Sequence, residues 1–430
     1  MLGGFSYKEP KKWLYDHKFL HSGDSLPAGD VAGENDELMV IAFSEDGTKM
    51  FGQAQEDDPV SRQGAVYEAV LKDGTWQEVA KITGSANVGE AADRFGESGV
   101  CCFGDKLFVS AIFDNDNGTE AGALFVFHSS SAGWQQVQKL FAAEPKAGDR
   151  FGARPSISAD GQTLIVGASA GETTGGFSNS GVIHVFQSSS NGWEQVQEFP
   201  GSTGGNALVA NQKISADGTR IVAGSSLKNE VYVFDSGSSG FQLVQTITPS
   251  DSATGGRIGQ TIQLSPDGSR IITGNTADSQ NGSNAGAVYY FQTGSSGFEE
   301  VQKILPNSSQ SVSGGKFGES ICYIEKVTGL STLRTIAVSA TGMLPHKPVF
   351  IFRYNDETGL FVQYQEIIAD IDLKSNHSNS LVLANRGLFV EPNHGWLAAG
   401  YSFWNDDETP PSGWIGRTGV IGLYKWSDEY

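Results

Sequence analysis

ALFVFHSSSAGWQQVQKL, residues 123–140, holds two strand-like segments and the turn that joins them. The first part is apolar and β-branched or aromatic. The second alternates, with Trp134 and Leu140 six residues apart and Gln and Lys between them. The Ser/Gly cluster supplies, through Gly133, the positive φ that a tight hairpin needs. The same pair of segments recurs along the chain. WQEVAKI begins at Trp76, WQQVQKL at Trp134, WEQVQEF at Trp193, FQLVQTI at Phe241, FEEVQKI at Phe298 and FVQYQEI at Phe361. Successive starts lie 58, 59, 48, 57 and 63 residues apart. Periods of that size mark solenoids and propellers. Each such segment reads as a strand with one buried face.

Upstream of these segments lie AVYEAV, VIHVFQ, EVYVFD, AVYYFQ and PVFIFR, the counterparts of ALFVFH. Further upstream comes another strand behind an Asp-Gly turn, as in SADGQTLIVGA (158–168), SADGTRIVAGS (215–225) and SPDGSRIITGN (265–275). A fourth strand precedes that turn and opens with a base and an aromatic-Gly or Ile-Gly pair, at Arg94, Arg150, Arg257 and Lys316. Four strands in meander order make a propeller blade. A seventh copy of the third strand, VIGLYK from Val420, meets the C-terminus without an outer strand. WLYDHKF, from Trp13 to Phe19, has the missing spacing. The expected fold is therefore an all-β, seven-bladed propeller of four-stranded antiparallel blades, with residues 11–20 completing the last one. Residues 11–430 form a single domain and residues 1–10 a tail. Closure removes the two sheet edges that a broken ring would expose.

The entrances at Arg94-Phe95-Gly96 and Arg150-Phe151-Gly152, with VGA at 166–168 and VSA at 109–111 and 338–340, resemble the FG-GAP repeat. That repeat builds the propeller at the head of integrin α subunits and of related bacterial and algal surface proteins. The resemblance covers nearly the whole chain. It is clear in blades two, three, five and six, and weaker in blade one, in blade four, where GGNALVA replaces the entrance, and in blade seven. It implies an extracellular or cell-surface location and a role in adhesion. The family's calcium loops between the first two strands are Asp-rich. Here those positions read SEDG (44–47), FGD (103–105), SADG (158–161 and 215–218) and SPDG (265–268). One aspartate cannot supply the roughly six to eight oxygens calcium takes, so plain turns are expected there.

Composition narrows the function. Forty-nine acids against 29 bases give a net charge of −20, a field that repels phosphate backbones and anionic headgroups, so no nucleic acid is expected as partner. No run of eighteen apolar residues is present to insert in a membrane, and MLGGFSYKEPKKW lacks the apolar core of a signal peptide. Cys101, Cys102 and Cys322 have no metal-type spacing and read as small apolar residues. Seven scattered histidines, with no HExxH, give no catalytic constellation, so no enzyme and no required cofactor is expected.

In meander order the Ser/Gly and Asp-Gly turns share one face. The long loops, 55–63, 113–121, 170–180, 275–285 and 401–418, share the other, where binding surfaces on rigid rings are placed. Two loops stand out. Asp114, Asp116 and Glu120 around Gly118 form an acidic run that could hold Ca2+. Tyr401, Phe403, Trp404 and Trp414 beside Asp406 and Asp407 suit a protein hot spot or a sugar ring. The expected function is non-catalytic recognition, adhesion or scaffolding of a protein partner through this face. The alternatives are a lectin-like, carbohydrate-binding propeller and a glycoside hydrolase with carboxylates at the channel mouth. The bases at the blade entrances are expected to tie neighbouring blades together.

Overall fold

The computed structural model describes residues 13–20, 38–44, 46–54, 64–73, 75–84, 94–170, 181–200, 211–251, 256–308, 312–328, 331–343, 348–367, 382–391, 396–404 and 417–426. Twenty-eight strands and no helix occur among them. Blade 1 contains β2 (Leu38–Phe43), β3 (Lys49–Ala54), β4 (Ala65–Lys72) and β5 (Thr75–Ile82), with β1 (Trp13–Leu20) preceding it in the chain. Blade 2 contains β6 (Val100–Phe103), β7 (Lys106–Ala111), β8 (Ala123–Ser130) and β9 (Gly133–Leu140). Blade 3 contains β10 (Phe151–Ile157), β11 (Thr163–Ala168), β12 (Val182–Ser189) and β13 (Gly192–Pro200). Blade 4 contains β14 (Gln212–Ile214), β15 (Arg220–Ser225), β16 (Glu230–Gly237) and β17 (Gly240–Ile247). Blade 5 contains β18 (Ile262–Leu264), β19 (Arg270–Asn275), β20 (Ala287–Gly294) and β21 (Gly297–Ile304). Blade 6 contains β22 (Phe317–Thr328), β23 (Ser331–Ala340), β24 (Val349–Asn355) and β25 (Leu360–Ile367).

Each of these six is an antiparallel sheet of consecutive strands. A further four-stranded sheet has the order β1-β28-β27-β26, from β26 (Val382–Glu391), β27 (Trp396–Trp404) and β28 (Arg417–Trp426). In it Trp13 pairs with Trp426 and Leu20 with Val420. Six blades are thus described with their side chains. For the expected seventh, the strands and their register alone are described. The first strands of successive blades are neighbours, and β26 lies between β22 and β2.

Blades stack face to face, so their middle strands are covered on both sides. Thr163–Ala168 is buried at every position, and the first five residues of β8, β12 and β20 are buried as well. That is why these segments read as continuous apolar runs rather than alternating ones.

The outer strands depart from the simple alternation expected of them. Every one carries a register shift at the third residue after its aromatic. Val79, Val137, Val196, Val244, Val301 and Tyr364 are skipped in the pairing, and the same shift falls between Tyr15 and His17 of β1. One extra residue reverses side-chain parity. Trp193 therefore packs into the core between blades 2 and 3, and Phe199, six residues on, into the core between blades 3 and 4. The bulged valines are left about half exposed. The bulge also twists an otherwise open sheet edge away from intermolecular pairing.

The residue after the bulge ties blade to blade. Gln138 Nε2 donates to the Trp193 carbonyl (3.0 Å) and the Trp193 N–H donates back to Oε1 (2.9 Å). Gln197 does the same with Phe241, Gln245 with Phe298 and Gln302 with Phe361. Gly240 precedes its clamped aromatic because a Cβ there would stand 2.5 Å from the Gln197 carboxamide oxygen. Between blades 1 and 2 the clamp position is Ala80, and Trp134 instead donates its indole N–H to Glu68 (3.0 Å). Gln197→Ala removes two hydrogen bonds and should cost about 1–3 kcal/mol, read as a lower urea midpoint with an unchanged slope. A midpoint within error of wild type would refute the clamp's role.

Candidate functional site

The long-loop face is built at the junction where one blade hands the chain to the next. In the loop that joins β7 to β8, Thr119, Glu120 and Ala121 offer their carbonyls to the N–H groups of Gly148, Arg150 and Phe151 at the entrance of blade 3 (2.8, 3.1 and 2.9 Å). The loop of blade 5 repeats this, with Ser283, Asn284 and Ala285 accepting from Gly314, Lys316 and Phe317. Arg150 also reaches back with its guanidinium to Glu120 (2.7 Å), so this entrance base does tie two blades. Arg94 pairs with Glu97 within its own turn. The Arg94 and Arg150 guanidiniums both lie over the Phe113 ring, at 4.7 and 5.0 Å from its centroid.

The acidic run of blade 2 is divided between two partners. Asp114, only 2% exposed, and Asp116 both meet the Lys139 ammonium, the former at 2.5 Å. Glu120 turns away to Arg150. The position where a cation would sit against Asp114 and Asp116 is taken by Lys139, which also lies over the Phe125 ring (4.8 Å). Burial depresses the Lys139 pKa, but the two carboxylates outweigh it and hold the ammonium above its usual range. Among the described residues, no three His, Cys, Asp or Glu converge as metal ligands.

Blade 5 builds the same device. Lys303 meets Asp251 (2.5 Å) and Asp278 (2.7 Å) and lies over Tyr289, whose hydroxyl donates to Asp251 (2.7 Å). Burial and these two carboxylates push the Tyr289 phenol far up. The signal was present in the sequence as the Lys of WQQVQKL and FEEVQKI, which reads on its own as a solvated polar position. In blade 3, Glu198 stands at the lysine position and His184 at the aromatic one. His184 is buried against Phe151 and its pKa is pushed down by burial to about 4, so it packs as a neutral ring.

On the opposite face the single-aspartate turns close on themselves. In SPDG, the Ser265 hydroxyl donates to Asp267 (2.5 Å), which also accepts from the N–H and hydroxyl of Ser269. Burial would raise the Asp267 pKa, but these donors bring it to about 2. Asp46 and Asp217 are lowered in the same way, first by Ser44 and Ser215. These carboxylates serve their own turns.

Tyr401, Phe403 and Trp404, expected in the last-blade loop, fall instead on β27, opposite Val420, Thr418 and Arg417 of β28, because the strand pairing runs on past Gly400, and only their backbone is described. Asp406, Asp407 and Trp414 lie outside the described residues, as does the tail 1–10. Among the described residues no helix is long and apolar enough to cross a membrane.

Comparison with known proteins places this geometry. The chain is similar in fold to the Cps50 (Swd1) β-propeller domain of Myceliophteria thermophila, at 10% identity and a TM-score of 0.54, over 97% of this chain and 100% of that one. A functionally unknown protein of Desulfotomaculum acetoxidans matches at 14% identity and a TM-score of 0.51, over 82% and 91%. A candidate 6-phosphogluconolactonase of Bacteroides uniformis matches at 15% identity and a TM-score of 0.50, over 78% and 85%. Likeness at these identities carries the propeller fold and leaves catalysis open. No curated protein matches the sequence. The FG-GAP repeat model matches residues 76–127, 134–186 and 241–291. Each matched segment begins at an outer-strand aromatic and ends in the third strand of the next blade. Over these three segments the chain carries FG-GAP repeats, set in a β-propeller fold.

Proposed function

We propose that the protein is a non-catalytic recognition module. Its six blades and the β1-β28-β27-β26 sheet make one closed ring of seven, residues 11–430, that presents the long-loop face to a protein partner at a cell surface or in an extracellular assembly. The observation that carries this reading is the contrast between the two faces. Asp-Gly turns are short and satisfy their own carboxylates, whereas the loops of blades 2 and 5 are fixed at their bases by three backbone hydrogen bonds each to the next blade. A loop with a rigid base and a variable crown is suited to recognition at small entropic cost. The pairing of β1 with β28 supports closure, and a closed ring should unfold in one cooperative transition.

The test compares two variants in capture of partners from the source organism. One has residues 115–119 and 405–416 replaced by Gly/Ser, and the other has residues 356–358, in the turn between β24 and β25 on the opposite face, replaced in the same way. Loss of a specific protein with the first variant alone supports the reading. Equal loss with both, or none with either, removes it. Binding on a glycan array would move the function to the lectin alternative, and turnover of a chromogenic glycoside to the hydrolase.

A further inference from the structure

The loop that joins β19 to β20 copies, bond for bond, the loop that joins β7 to β8. In blade 5 the N–H of Asp278 donates to the carbonyl of Asn275, Gly282 to Ser279, Ala285 to Gly282 and Gly286 to Asp278. In blade 2 the same bonds run from Asp114 to Ala111, Gly118 to Asn115, Ala121 to Gly118 and Gly122 to Asp114. Each loop stands between two entrance bases, Arg94 and Arg150 in blade 2, Arg257 and Lys316 in blade 5, and their backbones are held alike. The Arg150 N–H donates to the Glu120 carbonyl and the Lys316 N–H to that of Asn284, both at 3.1 Å. The Gln260 N–H donates to the Arg257 carbonyl as the Glu97 N–H does to that of Arg94.

The side chains differ. In blade 2 each base has a carboxylate, Glu97 for Arg94 and Glu120 for Arg150, and both guanidiniums lie over the Phe113 ring. At the matching positions of blade 5 stand Gln260, Asn284 and Ala277. Nearby acids are engaged elsewhere: Glu319 accepts from the Thr341 hydroxyl, and Asp251 and Asp278 meet Lys303. Arg257 and Lys316 are exposed, and neither side chain has an ion pair or hydrogen bond among the described residues. These two entrance bases therefore do not tie blades through their side chains, as Arg150 does.

One network sets them beside a common loop. Asn275 Oδ1 accepts from the N–H groups of Arg257 (2.9 Å) and Ala277 (3.2 Å). The Ser279 hydroxyl donates to the Ala277 carbonyl (3.3 Å) and accepts from the Asn284 N–H (3.0 Å). Between the bases the exposed crown, Gln280, Asn281, Ser283 and Asn284, offers amides and a hydroxyl and no charge. Carboxylates from outside can restore both missing pairs through charge-assisted hydrogen bonds, while the crown amides suit an extended backbone. A dense polyanion is repelled by a net charge of −20, whereas a short acidic segment meets this sector alone.

We propose that the blade 5 crown between Arg257 and Lys316 docks an acidic segment of the protein partner, its carboxylates taking the roles that Glu97 and Glu120 fill in blade 2. This rests on the recognition reading of the long-loop face and names the sector and the chemistry it takes.

Selection of a random-peptide phage library on the full chain tests it, in parallel with Gln260→Glu/Asn284→Glu, which restores the blade 2 pairing and keeps both bases. Wild type is expected to enrich peptides rich in Asp and Glu that this variant does not. Synthetic copies should bind wild type saturably in fluorescence anisotropy, about tenfold more weakly in Arg257→Gln/Lys316→Gln and unchanged in Arg94→Gln. All substituted side chains in blade 5 are exposed or half-exposed, and the two double variants test the same site independently. No enriched acidic peptides, equal binding to wild type and both double variants, or equal weakening by Arg94→Gln overturns the proposal. Non-acidic peptides lost on replacement of 115–119 and 405–416 would overturn it too, yet leave the long-loop face as a binding surface. Saturable heparin binding that Arg257→Gln/Lys316→Gln removes, without acidic peptides, would overturn it in favour of a sulfated glycan.

Discussion

Gly122→Ala is expected to lower the stability of the protein by about 3 kcal/mol or more. Gly122 has φ +85° and forms a parallel bridge with Phe151 at the entrance of blade 3. A Cβ there would stand 2.2 Å from the Phe151 carbonyl oxygen and 2.5 Å from its nitrogen, both backbone atoms that cannot rotate aside. Gly286 repeats the arrangement against Phe317, with contacts of 2.2 and 2.4 Å. Gly133 is the control. Its φ is +88°, but an added Cβ meets nothing within 4 Å, so Gly133→Ala should show only the left-handed backbone cost of about 1–2 kcal/mol. Urea unfolding of both variants distinguishes conformational cost from collision. Equal losses would show that close approach of the two chains is not what the Gly-Phe junction requires.

Lys139→Met should be nearly as damaging, at about 3–5 kcal/mol at neutral pH. The side chain is of similar length and the rings of Phe125 and Phe141 still have a partner to pack against. What is lost is the charge that faces Asp114, which is 2% exposed and would be left buried and uncompensated. Adding Asp114→Asn to Lys139→Met should recover most of the loss, because the orphaned charge is then gone. A double variant no more stable than Lys139→Met would mean that the lysine acts through packing alone. The cycle also bears on the acidic run as a metal site. If carboxylates of this loop hold calcium at all, the Lys139→Met variant, and not the native chain, is where a calcium-dependent rise in melting temperature should be seen.

Much of the ring was legible because its repeat is written in residue types with one physical use each. Gly133, Gly192 and Gly240 mark hairpins, Asp-Gly marks the inner turns, and apolar runs mark the covered middle strands. The spacing of WLYDHKF identified an outer strand without a blade, and β1 pairs with β28. The candidate sites were less legible. Asp114 and Asp116 read as available ligands since Lys139, 25 residues beyond Asp114, gives no sign in the sequence of folding over them.

Strand order, blade phase and the entrances that define the repeat follow from local propensity, which is a property of neighbouring residues and needs no partner. Which side of a blade a residue serves does not. Trp193 and Phe199 have the spacing of one face, yet the bulge at Val196 sends them into different cores. Likewise, whether a carboxylate is a ligand, a turn acceptor or half of an ion pair depends on the charge brought against it from another strand and on how little water remains between them. Only packing of the finished ring sets either quantity.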